Sequence, residues 1–463
     1  METGSHPHIP AHTRSVCPIC LKALPAMRSQ EDDGVYLVKS CPEHGEFRTP
    51  IWRGVIPISS WQRPKRPSSP LAPVPVSSKG CPFDCGLCSE HKQHTCTALI
   101  EITARCNLRC KVCFADAGGP SPQDPPLARI AFLYDRILHG SGPCNIQLSG
   151  GEPTMREDLT DIIRLGRDKG FSFLQLNTNG IRLAEDAAYA RSLQGAGLSS
   201  VFLQFDGVSD DAHAAIRGRA LAAIKEQAIV HCGAAGLGVV LVPTVVPGIN
   251  NGQMGAIVRY GARFSPVVRG VHFQPVSYFG RYPAPPRDHD RITLPEIMEQ
   301  LAAQCEGEIS TEHFAPPACE HALCSFHANY LVQPDGSLQA LGAGRQACCS
   351  EAKVGGQLPS AKEGRDRSVS FTASQWAAPA PCACARTTPA EGGDDLDIFL
   401  RRARTHRFSI SGMAFQDAWN LDLERLQGCC IHVMSPEGDL IPFCAYNLTA
   451  SNGRSLYRKT EAV

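Results

Sequence analysis

Neither sign of charge is in excess. The 45 basic and 45 acidic residues leave a formal net charge of zero, which removes the electrostatic case for nucleic-acid binding. No apolar run approaches the ~20 residues that a membrane helix needs. The opening Met1-Glu2-Thr3-Gly4-Ser5 has no signal-peptide pattern. A secreted disulfide scaffold would be far shorter than this chain of 463 residues. What is abundant is cysteine, with 22 residues. In a large chain without a signal pattern they read as metal ligands in a reducing compartment, so the expected location is the cytoplasm.

Six of the cysteines repeat one spacing. Cys106, Cys110 and Cys113 form Cys-x3-Cys-x2-Cys in EITARCNLRCKVCFADAGG, and Cys81, Cys85 and Cys88 form it again. Three thiolates hold three irons of a cubane and leave the fourth free to bind a small molecule, whereas an electron-carrying cluster normally has four cysteines. The later triplet follows the apolar run 98–103, which reads as a strand, and strand C-terminal ends are where α/β barrels place their active sites. The next strand, 145–149, runs into Gly150-Gly151-Glu152-Pro153. Two glycines let backbone approach a ligand closely, Glu152 supplies an acceptor, and Pro153 stiffens the turn. Such a turn suits the amino group of an amino-acid-like ligand and assigns it to the later triplet. The earlier triplet lacks one. It reads as an auxiliary cluster with Cys96 as fourth ligand, or as a second site with an open iron.

The N-terminal part, 1–60, pairs Cys17-x2-Cys20 with Cys41-x2-His44 across a short strand, a ribbon that one tetrahedral zinc or rubredoxin-like iron can close. So small a unit needs its metal to fold. A Pro/Ser-rich linker carrying the first triplet occupies 61–96. From 97 to 300 strand and helix alternate, with strands expected at 98–103, 145–149, 172–177, 200–205, 238–245 and 270–276. Glycine ends most of the intervening amphipathic stretches, one of which runs through AAIRGRALAAIKEQAIVHCGAAG. Six such units make an incomplete parallel barrel with an open side. Polar residues near the strand ends are candidate ligands: Asn177, Asn179, Gln204, Thr244, Asn250, Gln274, Ser277 and Tyr278. In the Cys-rich remainder, 301–463, Cys319, Cys324, Cys430 and Cys444 are candidates for a third cubane. Hairpins are expected near 329–336 and around the Pro-Glu-Gly-Asp turn at 436–439. The stretch 353–394, with Cys382 and Cys384, reads as a loop.

The triplet and the Gly-Gly-Glu-Pro turn resemble those of the radical S-adenosylmethionine (SAM) superfamily. The resemblance extends to one branch of it, through Cys17-x2-Cys20 with Cys41-Pro-Glu-His44, the block 79–118, LSGGEPTMREDL, and CIHVMSPEGDLIPFCAYN. The chain departs from many members at Val112, where an aromatic residue precedes the third cysteine. The resemblance implies a partial (β/α)6 TIM-like barrel and a [4Fe–4S] cluster on Cys106, Cys110 and Cys113. It also implies SAM bound by Gly150, Gly151, Glu152 and Pro153 with Asn177 and Gln204, and one or two auxiliary [4Fe–4S] clusters. Relatives in this branch act on a pterin and on lipid tails. The expected activity is therefore methyl or alkyl transfer, or carbon–carbon bond formation, on a small-molecule or lipid substrate, with a flavodoxin- or ferredoxin-type reductant. A peptide-modifying maturase and a non-enzymatic iron–sulfur electron carrier are the alternatives.

Overall fold

The computed structural model describes residues 11–73, 78–119, 123–342, 358–379 and 395–458. The N-terminal ribbon has four antiparallel strands in chain order: β1 (His12–Val16), β2 (Ala23–Glu31), β3 (Gly34–Cys41) and β4 (Gly45–Arg53). The Cys17–Cys20 turn joins β1 to β2, and the Cys41–His44 turn joins β3 to β4. Antiparallel pairing therefore brings both turns to one end. The ribbon packs on the C-terminal residues through a buried lysine: Lys39 Nζ donates to Ser15 Oγ at 2.9 Å and to the Ala418 carbonyl at 2.8 Å.

All the expected barrel strands form: β5 (Thr97–Thr103), β6 (Asn145–Gly150), β7 (Leu174–Thr178), β8 (Ser200–Gln204), β9 (Gly238–Val242) with a short β10 (Thr244–Val245), and β11 (Val268–Pro275). They pair in parallel from β5 through β9 to β11. Helices α1 (Leu127–Ser141), α2 (Leu159–Asp168), α3 (Ile181–Glu185) and α4 (Ala187–Gly195) intervene. The long stretch after β8 is two helices, α5 (Asp210–Arg217) and α6 (Ala222–Ala234), because the chain turns at Gly218 with φ +78°, a left-handed conformation that glycine adopts without a Cβ penalty. The period of two divides each strand between faces. Ile146, Leu148, Val201, Leu203, Val239, Leu241, Val271 and Phe273 are buried in the main apolar core, while Gln147, Ser149, Phe202, Gln204, His272 and Gln274 line a cavity on the other face.

The residues beyond 300 extend the sheet at both edges. β12 (Ser325–Val332), β13 (Leu338–Ala340) and β14 (Arg407–Met413) add beside β11, and β15 (Ile431–Met434) and β16 (Leu440–Pro442) add beside β5. β14 and β15 run parallel to their barrel neighbours. Both expected hairpins are present, as β12–β13 and β15–β16. The two ends of the path, β13 and β16, do not pair with each other among the described residues.

The stretch 353–394, expected as a loop, contains a helix, Ala361–Trp376, which starts at a capping box of Ser360 and Glu363. Its sequence, with three serines, two arginines and one glycine among its 16 residues, lacks a clear apolar stripe, so tertiary packing holds it. Arg365 Nε donates to the Thr95 carbonyl at 2.7 Å, Asn145 Nδ2 to the Val369 carbonyl at 3.3 Å, and Arg269 Nε to the Gln375 carbonyl at 2.9 Å. Those partners stand at the starts of β5, β6 and β11, so the helix crosses the N-terminal ends of the strands. It floors the cavity with Phe371 and Trp376. Cys348, Cys349, Cys382 and Cys384 lie outside the described residues. Among the described residues, no helix is long and apolar enough to cross a membrane.

Candidate active site

The loop after β5 carries Cys106, Cys110 and Cys113. Cys110 is buried and the other two are half-buried, and all three line a cavity of about 890 Å³ on the concave face of the sheet. The loop is stapled by Arg281, which follows β11 and which the sequence reading missed. Cys113 and Arg281 exchange backbone hydrogen bonds at 2.9 and 3.0 Å. The Arg281 guanidinium donates to the Cys110 and Ala117 carbonyls, each at 2.8 Å, and pairs with Asp116 at 2.7 Å.

The Gly-Gly-Glu-Pro turn makes a close approach, and its immediate partner is the cysteine loop. Gly151 N donates to the Thr103 carbonyl and Glu152 N to the Arg105 carbonyl, both at 2.8 Å. A Cβ on Gly150 would stand 2.1 Å from Thr103 O, and one on Gly151 2.2 Å from Arg105 O. Both clashes are with backbone and have no flexible relief. Gly151→Ala is therefore expected to displace the cysteine loop and lower SAM-dependent 5′-deoxyadenosine formation on the order of tenfold or more, because misplacing reacting groups by about an ångström costs that much. Chromatographic assay of the nucleoside checks this.

Glu152 is buried and fully engaged. Its Oε1 accepts from Thr154 N at 3.0 Å and from the Thr154 and Thr178 hydroxyls, each at 2.7 Å, while Oε2 accepts from Asn179 N at 2.7 Å. The carboxylate thus ties the end of β6 to the end of β7. Pro153 is buried at the start of a short turn and is not part of the cavity wall. Asn177, Gln204, Thr244, Gln274 and Ser277 all reach the wall. Asn250 instead holds its own loop, donating to the Asp206 and Thr244 carbonyls, and the Tyr278 hydroxyl donates to the Asp290 carbonyl. Arg217, at the end of α5, also reaches the cavity and forms a bidentate pair with buried Asp206 at 2.7 and 2.8 Å. The strand-end criterion could not find it, because it comes from a helix.

These residues fit an iron–sulfur cluster with bound SAM. Asn177 Oδ1 is buried without a hydrogen-bond partner among the described residues, an acceptor left for a ligand. Burial pushes the Cys106 thiol up to about 12, so a thiolate there needs a cation beside it.

Two further thiol groups are compact. In the ribbon the ligand atoms of Cys17, Cys20, Cys41 and His44 all lie within 4.8 Å of one another, as expected, and so do those of Cys96, Cys319 and Cys430. The second group corrects one expectation: Cys96 stands with Cys319 and Cys430 and not beside Cys81, Cys85 and Cys88. Of the four cysteines expected to share a third cubane, Cys319 and Cys430 fall in this group. Cys324 Sγ lies 3.6 Å from Arg425 Nη2, and Cys444 Sγ accepts from Gln416 N at 3.2 Å. Cys81, Cys85 and Cys88 surround a small gap with His91, Leu426 and Pro442, and Cys85 N donates to the Tyr457 hydroxyl at 2.8 Å.

A three-cysteine loop at the C-terminal edge of a parallel sheet, closed by a Gly-Gly-Glu turn, defines a radical SAM site. Residues 100–261 match the model of the radical SAM superfamily, and residues 9–53 match the HMPTM N-terminal zinc ribbon domain. The chain belongs to the radical SAM superfamily. Along nearly its whole length it is similar to 7,8-dihydro-6-hydroxymethylpterin dimethyltransferase of Methanocaldococcus jannaschii, with 34% identity over 94% of this chain and 93% of the relative. GTP 3′,8-cyclase of Moorella thermoacetica is 33% identical over 38% of this chain and 55% of its own. Among solved structures, SuiB of Streptococcus suis bound to its precursor peptide superposes with a TM-score of 0.34 at 13% identity over 40% of each chain. The chain is a radical SAM enzyme that requires a [4Fe–4S] cluster and SAM, with auxiliary metal sites in the ribbon and among the remaining cysteines.

Proposed function

We propose that this enzyme alkylates an unactivated carbon of a reduced pterin or a closely related heteroaromatic compound. The observation that carries the reading is the cavity wall. Along the strands, alternate positions present Gln147, His272, Gln274, Ser409 and Ser411, a row of donors and acceptors suited to the edge of a heterocycle. Phe202, Phe371 and Trp376 on the same wall offer surfaces on which a flat ring can stack. Part of this row pairs within the wall, Gln147 with Gln175 and His272 with Ser411, and a lipid tail offers the remainder no polar partner. The similarity to a pterin dimethyltransferase along the chain supports the same substrate class.

In this reading Cys106, Cys110 and Cys113 would hold the cluster, and SAM would bind to it. When bound and reduced by one electron, that pair supplies a 5′-deoxyadenosyl radical able to take hydrogen from an unactivated carbon. The chain's own residues do the positioning. Arg281 fixes the cysteine loop, Glu152 locks the ends of β6 and β7, and Asn177 and Gln204 face the bound SAM. The polar wall orients the acceptor carbon, and the floor helix excludes water from the far end of the cavity. A flavodoxin- or ferredoxin-type protein supplies the electron.

The test is substrate-dependent turnover. Anaerobically reconstituted enzyme with SAM and dithionite is expected to form 5′-deoxyadenosine on the order of tenfold faster when 7,8-dihydro-6-hydroxymethylpterin is added, because substrate binding energy aligns the reacting groups. Stimulation by isoprenoid lipid or by peptide, and none by the pterin, would sink the proposal.

A further inference from the structure

Part of the cavity wall is built by strands that lie beyond residues 100–261, the part that matches the radical SAM superfamily. Across β11, β14 and β12, His272 pairs in register with Ser411, and Ser411 with His327. Two residues nearer the floor helix, Ser409 pairs with Asn329. Residues of one row, and every second residue along a strand, share a face of the sheet. His272, Ser409, Ser411, His327 and Asn329 accordingly line one patch of the wall.

Three side chains of this patch are unmatched among the described residues. His272 Nδ1 shares a hydrogen bond with Ser411 Oγ at 2.9 Å, which leaves Nε2 without a partner. His327 exchanges backbone hydrogen bonds with Ala315 at 3.0 and 3.1 Å, but neither of its ring nitrogens has one. Asn329 Oδ1 is buried and also has no partner. Burial pushes both imidazoles down to about 4, in His327 with help from the charge of Arg63. Both are therefore neutral at pH 7, and each ring keeps one donor and one acceptor nitrogen. Phe202 and Trp376 border the patch, their rings 5.4 and 5.9 Å from that of His272. Buried polar groups are nearly always paired. Three unmatched ones beside an aromatic surface mark a place for a flat ligand whose edge mixes donors and acceptors.

We propose that this patch holds the polar edge of the heterocyclic substrate, with Asn329 Oδ1, the deepest of the three groups, accepting from an exocyclic amino group and the imidazoles of His272 and His327 bonding neighbouring atoms of the same edge. Such a subsite rests on the heteroaromatic reading above, and fixes which edge of the ring is held. His272 lies three residues before the end of β11 at Pro275. That is roughly 10 Å along the strand from the edge of the sheet that carries Cys106, Cys110 and Cys113. A ring held by its polar edge at this depth turns its other edge toward those cysteines. Selection of the substrate then falls to β11, β12 and β14, and not to the segment that matches the superfamily.

Anaerobic calorimetric titration of the SAM-loaded holoenzyme tests this with two probes, 7,8-dihydro-6-hydroxymethylpterin and its analogue without the 2-amino group. Wild-type enzyme is expected to bind the analogue about tenfold more weakly, as the loss of one matched hydrogen bond implies. Asn329→Leu should weaken the parent pterin by a similar factor and bind the two probes equally. Asn329→Asp keeps an acceptor oxygen and should restore the discrimination. His327→Phe keeps a flat ring and should weaken both probes about tenfold. Each comparison is made at equal iron content per chain, which removes misfolded protein from the count. Equal binding of both probes by the wild type, or variants within about twofold of it that still discriminate, would overturn the subsite and leave the pterin reading standing. Wild-type enzyme that binds neither probe would overturn the pterin reading, and the subsite with it.

Discussion

Cys110→Ala is expected to abolish 5′-deoxyadenosine formation, leaving only the background of protein without a cluster. The physical reason is coordination number. A site with three thiolates already leaves one iron without a protein ligand, and removing another leaves two irons unheld. Cys110 is the most sheltered of the three, and its carbonyl is the one that Arg281 grips at 2.8 Å, so no neighbouring thiol can move into its place. The loss should be local. Iron content is expected to fall by about four atoms per chain, while the ribbon metal on Cys17, Cys20, Cys41 and His44, in the separate four-stranded sheet, is retained. Metal analysis and nucleoside chromatography on the same sample check both halves. A variant that keeps its iron and still cleaves SAM would mean that Cys106, Cys110 and Cys113 are not the radical cluster's ligands.

The parts of this molecule legible in the sequence are those set by local rules. The strands of the barrel were visible because each is a short apolar run closed by turn residues. The cysteine triplet was visible because all three ligands sit in one loop, where spacing in sequence is spacing in space. What was not legible depends on contacts across the chain. Cys96 was assigned to the triplet eight residues before it, whereas its sulfur meets Cys430, 334 positions away. The floor helix has a capping box as its only strong local signal, and its serines and glycine disguised it as a loop. The glycines of the Gly-Gly-Glu-Pro turn were read as space for a ligand. Their absent side chains also make room for the backbone of Thr103 and Arg105, so one motif serves packing and binding together. Arg281 carried no motif at all. Its role comes from β11 ending beside β5's loop on the same edge of the sheet, which no pattern within either segment records.

Replacing Asp206 with asparagine is expected to destabilise the barrel by about 3–5 kcal/mol, the usual cost of leaving one member of a buried ion pair alone. Asp206 is 0% exposed and Arg217 only 7%. Arg217 donates to both carboxylate oxygens and to Thr244 Oγ1 at 2.9 Å, and Thr244 N donates to Asp206 Oδ1 at 3.1 Å. Burial by itself pushes the Asp206 carboxyl up, but the charge and hydrogen bonds of Arg217 outweigh it and hold the group below the ordinary aspartate range. Since the folded-state value is the lower one, the unfolded chain binds more protons through the interval between the two. The stabilisation is therefore fully present above the ordinary value of about 3.9 and is lost as pH falls below it. Wild-type protein should lose this increment on acidification, and Asp206→Asn, which has no carboxyl to protonate, should not. The double variant Asp206→Asn/Arg217→Met should recover much of the loss, because removing both charges costs far less than stranding one. Anaerobic thermal unfolding of the three proteins at neutral pH and near pH 3.5 measures all of this. A single variant within about 1 kcal/mol of wild type, the range of an exposed pair, would show that the pair does not hold β8 to α5. The consequence reaches the site as well. Arg217 lies on the cavity wall and Nη1 is 3.5 Å from the Val112 carbonyl of the cysteine loop, so the charge that stabilises the barrel also sets one wall of the space in which the substrate meets SAM.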